Sequence, residues 1–319
     1  MRLILIAFIL STFIANSQMS SNFNTSKNWS MNKKEYFFCV GATQFLGDLG
    51  GLDRIGTTKS PVDIDWNMTR FGLGGGYRLR FRPMWSWSIQ LYGGLVQGDD
   101  ANTNEIIRRS RNLSFRSPVV ELSNRIEVIV FANEKLGARY KIQGLRGFRN
   151  NYELIYLFTG LSGVFFNPQA KIDGSWVNLR PLRTEGQGLI GGPERFDPME
   201  TYKRISLAIP FGIGFKYGIG RYWRMGLEII YNKTFTDYMD DVSTDYYDPT
   251  VLATEIGGNS PYASNPAIEN HSWFKPGQQR GNPEDYDAYL FTNITIMRNI
   301  TYGKPKGGYR VRWRMKTKF

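Results

Sequence analysis

Cysteine and histidine are almost missing from this chain: its 319 residues hold Cys39, His271 and no other residue of either type. One cysteine excludes a disulfide framework, a Cys-based zinc site and an iron–sulfur cluster. One histidine excludes multi-His centres such as HExxH. Long apolar runs are also missing beyond residue 14, so no later segment reaches the 18 or so residues of a transmembrane helix. Neither GxxxxGK[ST] nor GxSxG occurs. Gly72-Leu73-Gly74 and Gly212-Ile213-Gly214 begin like a dinucleotide fingerprint, but each lacks the third glycine and no helix follows. No cofactor and no metal site is expected.

What is present points to an exported β protein. Residues 1–17 read as a basic start, an apolar run from Leu3 to Ile14, and small residues Ala15 and Ser17 before Gln18. That is the layout of a secretory signal peptide, and the run is too short to span a bilayer. Residues 18–34 are rich in Ser, Asn and Lys without periodicity, and read as a flexible arm. Aromatics make up 15% of the chain and glycines number 34, a balance that favours strands and tight turns over helices.

From there the apolar pattern has period two. Phe71, Leu73, Tyr77, Leu79 and Phe81 alternate with Arg70, Gly72, Gly74, Gly76, Arg78 and Arg80. Leu207 to Tyr217 and Trp223 to Tyr231 alternate in the same way. Eight strands are predicted over 36–46, 68–82, 85–97, 118–131, 152–165, 202–217, 223–235 and 287–301. Connections after the second and sixth are short, while 47–67, 98–117, 166–201 and 236–286 are long. Long and short alternating around an even count predict an all-β fold, an eight-stranded antiparallel outer-membrane barrel over 35–303 with long extracellular loops. The 132–151 connection departs from this, being too long for a tight turn.

In such a barrel the apolar face meets lipid and the polar face fills the lumen. Arg70, Arg78, Arg80, Lys216 and Arg224 are expected inside, with Glu127 and Glu228 as partners, giving a plugged lumen. Trp85, Trp87, Tyr217, Tyr222 and Trp223 mark one rim; Tyr231, Phe235 and Phe165 mark the other. Eight steps from Trp223 to Tyr231 cover about 20 Å of membrane normal at a 40° tilt, near the band expected between two girdles. A soluble β-sandwich is the competing reading.

Charge is segregated by end. The 236–286 loop is acidic, with Asp237, Asp240, Asp241, Asp245 and Asp248 close together. It lacks the glycine and regular spacing of an EF-hand, so a solvated loop is expected. The 132–151 connection carries Lys135, Arg139, Lys141, Arg146 and Arg149 against Glu134. A basic tail over 304–319 contributes Lys304, Lys306, Arg310, Arg312, Arg314, Lys316 and Lys318, with Trp313 among them and no acid. With both chain ends in the periplasm, Arg139, Arg146, Arg310, Arg312, Trp313, Arg314, Lys316 and Lys318 are the candidate partner-binding residues, suited to an acidic protein. A nucleic-acid partner is not expected for an exported barrel. His271 beside Ser272 is the one conceivable hydrolytic pair, but adjacent residues rarely work together, and the chain is not expected to be an enzyme.

Several stretches combine into a resemblance: Phe45-Leu46-Gly47-Asp48-Leu49-Gly50, Phe166-Asn167-Pro168, Trp176, Pro181-Leu182, Thr184-Glu185-Gly186-Gln187-Gly188, Ile209 to Tyr217, and Lys233 to Thr244. Over roughly 36–300 the chain resembles the PorG family, outer-membrane barrels of the Bacteroidota type IX secretion system; the last two blocks are the most specific. That resemblance implies a non-enzymatic, barrel-monomeric part of a larger assembly in outer-membrane lipid, tethering a periplasmic ring of PorK and PorN. A general structural or adhesive surface barrel is the alternative, and a lipid-modifying barrel enzyme a weaker one.

Overall fold

A computed structural model describes residues 33–49, 66–103, 106–139, 148–193, 196, 199–219, 222–267 and 272–300, with side chains omitted over 133–139 and 148–152. Eight long strands form the body: β1 (Lys34–Leu46), β2 (Arg70–Arg80), β3 (Trp85–Asp99), β4 (Ser114–Arg139), β5 (Phe148–Phe166), β8 (Ile205–Gly218), β9 (Trp223–Thr234) and β10 (Ala288–Ile300). A small hairpin, β6 (Gln169–Ile172) and β7 (Ser175–Asn178), rises from the connection between β5 and β8. Three short helices sit in the other long connections: α1 (Ile106–Arg111), α2 (Pro249–Glu255) and α3 (Ser260–Ser264).

The strands pair antiparallel in the order β3-β2-β1-β10-β9-β8-β5-β4, and a β3–β4 ladder closes the ring. The result is a closed eight-stranded antiparallel barrel, with β1 joined to β10 from Lys34↔Ile300 to Leu46↔Ala288. Closure leaves no sheet edge around the wall. Because the strand count is even, Lys34 and Ile300 lie at the same end as the short β2–β3 and β8–β9 turns. The four long connections gather at the other end.

Burial follows the pleat. On β9, Trp223, Met225, Leu227 and Ile229 are exposed while Arg224, Gly226, Glu228 and Ile230 are buried. The same inversion runs round the wall, through Phe38 on β1, Leu73 on β2, Leu91 on β3, Leu122 on β4, Leu161 on β5, Phe211 on β8 and Ile294 on β10. Such an apolar exterior is unfavourable in water and suited to hydrocarbon, which makes this a barrel of the outer-membrane type. Among the described residues no helix is long and apolar enough to cross a membrane. The lumen-face glycines have a packing reason. A Cβ on Gly214 would collide with the Tyr156 ring and one on Gly212 with Phe158, so small residues on β8 admit large ones from β5.

The strand boundaries agree with the sequence pattern to within a few residues, except in one place. The 132–151 segment is not a loop flanked by rim-length strands. β4 continues to Arg139 and β5 begins at Phe148, with register shifts at Ile129/Phe131 and Lys135/Ala138.

Candidate functional site: a filled lumen under a locked cap

Lysine and arginine side chains on alternate residues must point into the barrel once the apolar face is turned outward, and burying them requires carboxylates. Arg78 on β2 is the hub. It donates from Nε to Glu127 Oε1 at 2.7 Å, from Nη2 to Glu228 Oε1 at 2.8 Å and from Nη1 to Glu35 Oε2 at 3.3 Å. Glu35, at the start of β1, also receives Lys216 Nζ at 2.9 Å and Arg224. Arg125 on β4 reaches Glu228 Oε2 at 3.3 Å and lies over the Phe158 ring at 4.6 Å. Tyr156 adds a hydroxyl donated to Glu228. Four cations and three carboxylates from five strands thus interlock across the lumen. The void beside them, lined by Glu35, Arg78, Ile129, Leu154 and Lys216 among others, measures about 10 Å³, room for about one water.

Above this layer the lumen remains filled. Gln90 donates to Cys39 Sγ at 3.2 Å, and Tyr92 donates to Asn293 Oδ1 at 2.8 Å while stacking on Phe291 at 4.2 Å. Glu121 accepts from Ser162 at 2.9 Å and from Tyr289 at 2.6 Å.

The described parts of the four long connections are tied together over the barrel as one cap. Glu185 accepts from the backbone N–H of Ser243 at 2.8 Å and of Thr244 at 3.1 Å, and from Thr244 Oγ1 at 2.7 Å. Arg280 donates to Glu185 Oε1 at 3.0 Å and to the Asp241 carbonyl at 2.6 Å. Asp241 accepts from Thr184 Oγ1 at 2.5 Å and Tyr202 OH at 2.7 Å, with its own backbone in the left-handed region at φ 67°. Burial raises the Asp241 carboxyl to about 6, against the lowering pull of Arg280 and the two hydroxyl donors. Arg111, at the end of α1, grips both oxygens of Asp100 at 2.7 and 3.0 Å and donates to the carbonyls of Asp48 and Arg280. The first connection, through Asp48, also takes the Asn282 N–H at 2.6 Å. Between the third and fourth connections an open cleft of about 600 Å³ remains, lined by Pro193, Asp245, Tyr247, Asp248 and Pro276 among others.

The expected site residues divide accordingly. Arg78, Lys216, Arg224, Glu127 and Glu228 converge as predicted. Arg80 is buried but donates to the Pro83 carbonyl. Arg70 stays at the outer rim, bound to Gln97 Oε1 at 2.6 Å and to backbone carbonyls, outside the network. Glu35 and Arg125 belong to the network and escaped the sequence reading, although their places in the alternation could have revealed them. The solvated acidic loop needs correcting: Asp237, Asp240 and Asp241 are at most 1% exposed and belong to the cap core. Among the described residues no group of three or more His, Cys, Asp or Glu side chains is arranged to hold a metal. Arg146, His271, the signal segment and every tail residue from Arg310 to Lys318 lie outside the described residues, as does the side chain of Arg139.

No protein-family model matches this chain. No curated protein matches it either. Among solved structures the chain is similar to Ail, the attachment invasion locus protein of Yersinia pestis, in complex with the heparin analogue sucrose octasulfate, at 8% identity and a TM-score of 0.34, covering 83% of this chain and 99% of that one. It is similar to neisserial surface protein A at 6% identity and 0.34, covering 84% and 97%. It is also similar to the outer membrane protein OprG from Pseudomonas aeruginosa at 9% identity and 0.34, covering 86% and 99%.

Proposed function

We propose that this barrel is a non-conducting, non-enzymatic anchor that works by contact, docking a periplasmic ring of the PorK and PorN kind within a type IX secretion machine. The observation that supports the contact-based part is the lumen network: Arg78, Arg125, Lys216, Arg224 and three glutamates interlock across it and leave a void of about 10 Å³ beside them. The assignment to that machine rests on the sequence blocks that resemble the PorG family. Two of them, Thr184 to Gly188 and Lys233 to Thr244, meet in space through Glu185, Tyr238, Ser243 and Thr244, so they behave as one structural unit. Both chain ends face the periplasm in this reading. The basic segment around Arg139 and Arg146 and the tail from Arg310 to Lys318 then present cations to an acidic partner, whose attraction weakens with salt.

The test is affinity purification of the tagged protein from envelopes solubilised in mild detergent at low salt. Recovery of ring proteins, reduced when the chain is cut after Gly303, is the expected result. Recovery of the barrel alone would overturn the docking reading. A second reading, external adhesion through the cap, is favoured by the open cleft beside Tyr247. Deleting 245–285 would abolish adhesion under that reading and spare secretion under the first.

A further inference from the structure

The barrel wall ends before β4 and β5 do. Ile129 takes the Met84 carbonyl on the β3 side, and Glu153 is the first β5 residue in register with β8, opposite Tyr217. Yet β4 and β5 remain paired with each other as far as Arg139↔Phe148. Residues 134–139 and 148–152 therefore form a two-stranded ribbon that leaves the barrel at the short-turn end, about 20 Å along β4 at 3.3 Å per residue. Among the described residues no strand is registered with either outer edge of this ribbon.

A two-stranded ribbon is marginal by itself in water, and each open edge presents backbone N–H and C=O groups that a third strand would pair. The sequence decides which strand. Over 132–151 there are five basic residues and one acidic one, and Arg82 and Arg298 stand exposed at the same end of the barrel. A second copy of the ribbon, or the basic 304–319 stretch of this chain, would be repelled. An acidic strand would be attracted and then held by main-chain hydrogen bonds, the mode of β-strand addition.

We propose that the β4–β5 ribbon is a strand-addition site for an extended acidic segment of a partner protein. It rests on the docking reading only for the source of that partner. The probe is a labelled ten-residue peptide alternating Glu and Val, titrated against the full-length barrel in detergent at low salt. Its control is the same peptide N-methylated at alternate residues, which keeps the charge and removes one edge of hydrogen bonds. Binding of the first peptide, weakened at least tenfold by N-methylation and by replacing 132–151 with Asn-Gly, is the expected result. Heat-modifiable gel migration reports whether that shortened barrel is folded. The variant K135E/R139E/R149E keeps the ribbon and should exchange acidic-peptide binding for binding of an alternating Lys-Val peptide.

Absence of binding, or equal binding of the N-methylated peptide, would overturn strand addition; equal binding by the shortened barrel would place the site elsewhere and overturn it too. The two proposals fail separately. Ring proteins recovered with the shortened barrel would leave docking intact and remove the ribbon from it. Peptide results as expected, with no ring protein in any purification, would remove docking and leave the strand-addition site.

Discussion

Arg78 sits where three buried carboxylates converge, which makes it the most consequential single side chain of the lumen. Removing one partner of a buried ion pair leaves an uncompensated charge and costs about 3–5 kcal/mol, whereas removing both is far milder. Arg78→Met should therefore lower the urea midpoint of the refolded barrel markedly, and adding Glu127→Gln should restore much of the loss. Equal midpoints for Arg78→Met and the unaltered protein would mean that the network contributes nothing. Asp241 poses a pH question in the cap. Its carboxyl is raised from 3.8 to about 6 on folding, so the folded cap binds that proton more tightly than the unfolded chain. The sign follows: this residue's contribution is most favourable below about pH 4 and is lost as pH rises through 6, by roughly 3 kcal/mol. Cap melting compared between the unaltered protein and Asp241→Asn should show a pH-dependent difference confined to that window. A difference that is flat from pH 4 to 7 would contradict the assignment.

At the scale of elements, what the sequence discloses depends on which solvent each face meets. Strands walled by lipid on one side and by polar packing on the other alternate strongly, which is why β2, β8 and β9 can be read directly. Past residue 133 the ribbon leaves the wall and needs no lipid-facing apolar side, and 132–151 reads as an ordinary basic loop. Cap residues were illegible for a different reason. Asp241, Thr184, Tyr202 and Arg280 lie far apart in the chain, and only tertiary convergence buries what looks locally like a solvated acidic run. Cross-strand detail was hidden as well. Trp87 reads as a girdle residue, but its indole donates to Asn124 Oδ1 at 2.7 Å, satisfying an amide on the outward face of β4. Trp87→Phe should strip that amide of its donor in an apolar setting and cost about 1–2 kcal/mol. Adding Asn124→Leu should recover the loss; an unchanged unfolding midpoint for Trp87→Phe alone would show that the pair is idle.

For the whole molecule, the exterior, the lumen and the cap follow from one another. An apolar wall commits the barrel to a membrane, eight strands make it narrow, and charged side chains lock the interior instead of lining a channel. The cap then ties all four long connections together above the plug, through Asp48, Arg111, Glu185, Asp241 and Arg280. Such a body has a filled middle, and the proposed function places its contacts at its ends. The most direct measurement is the conductance of the purified, refolded full-length protein in a planar bilayer. A membrane that stays electrically silent over hours and across both polarities, with insertion verified by heat-modifiable migration, is the predicted result. Reproducible single-channel steps from the unaltered protein would contradict the filled lumen and the account of a barrel that acts by contact.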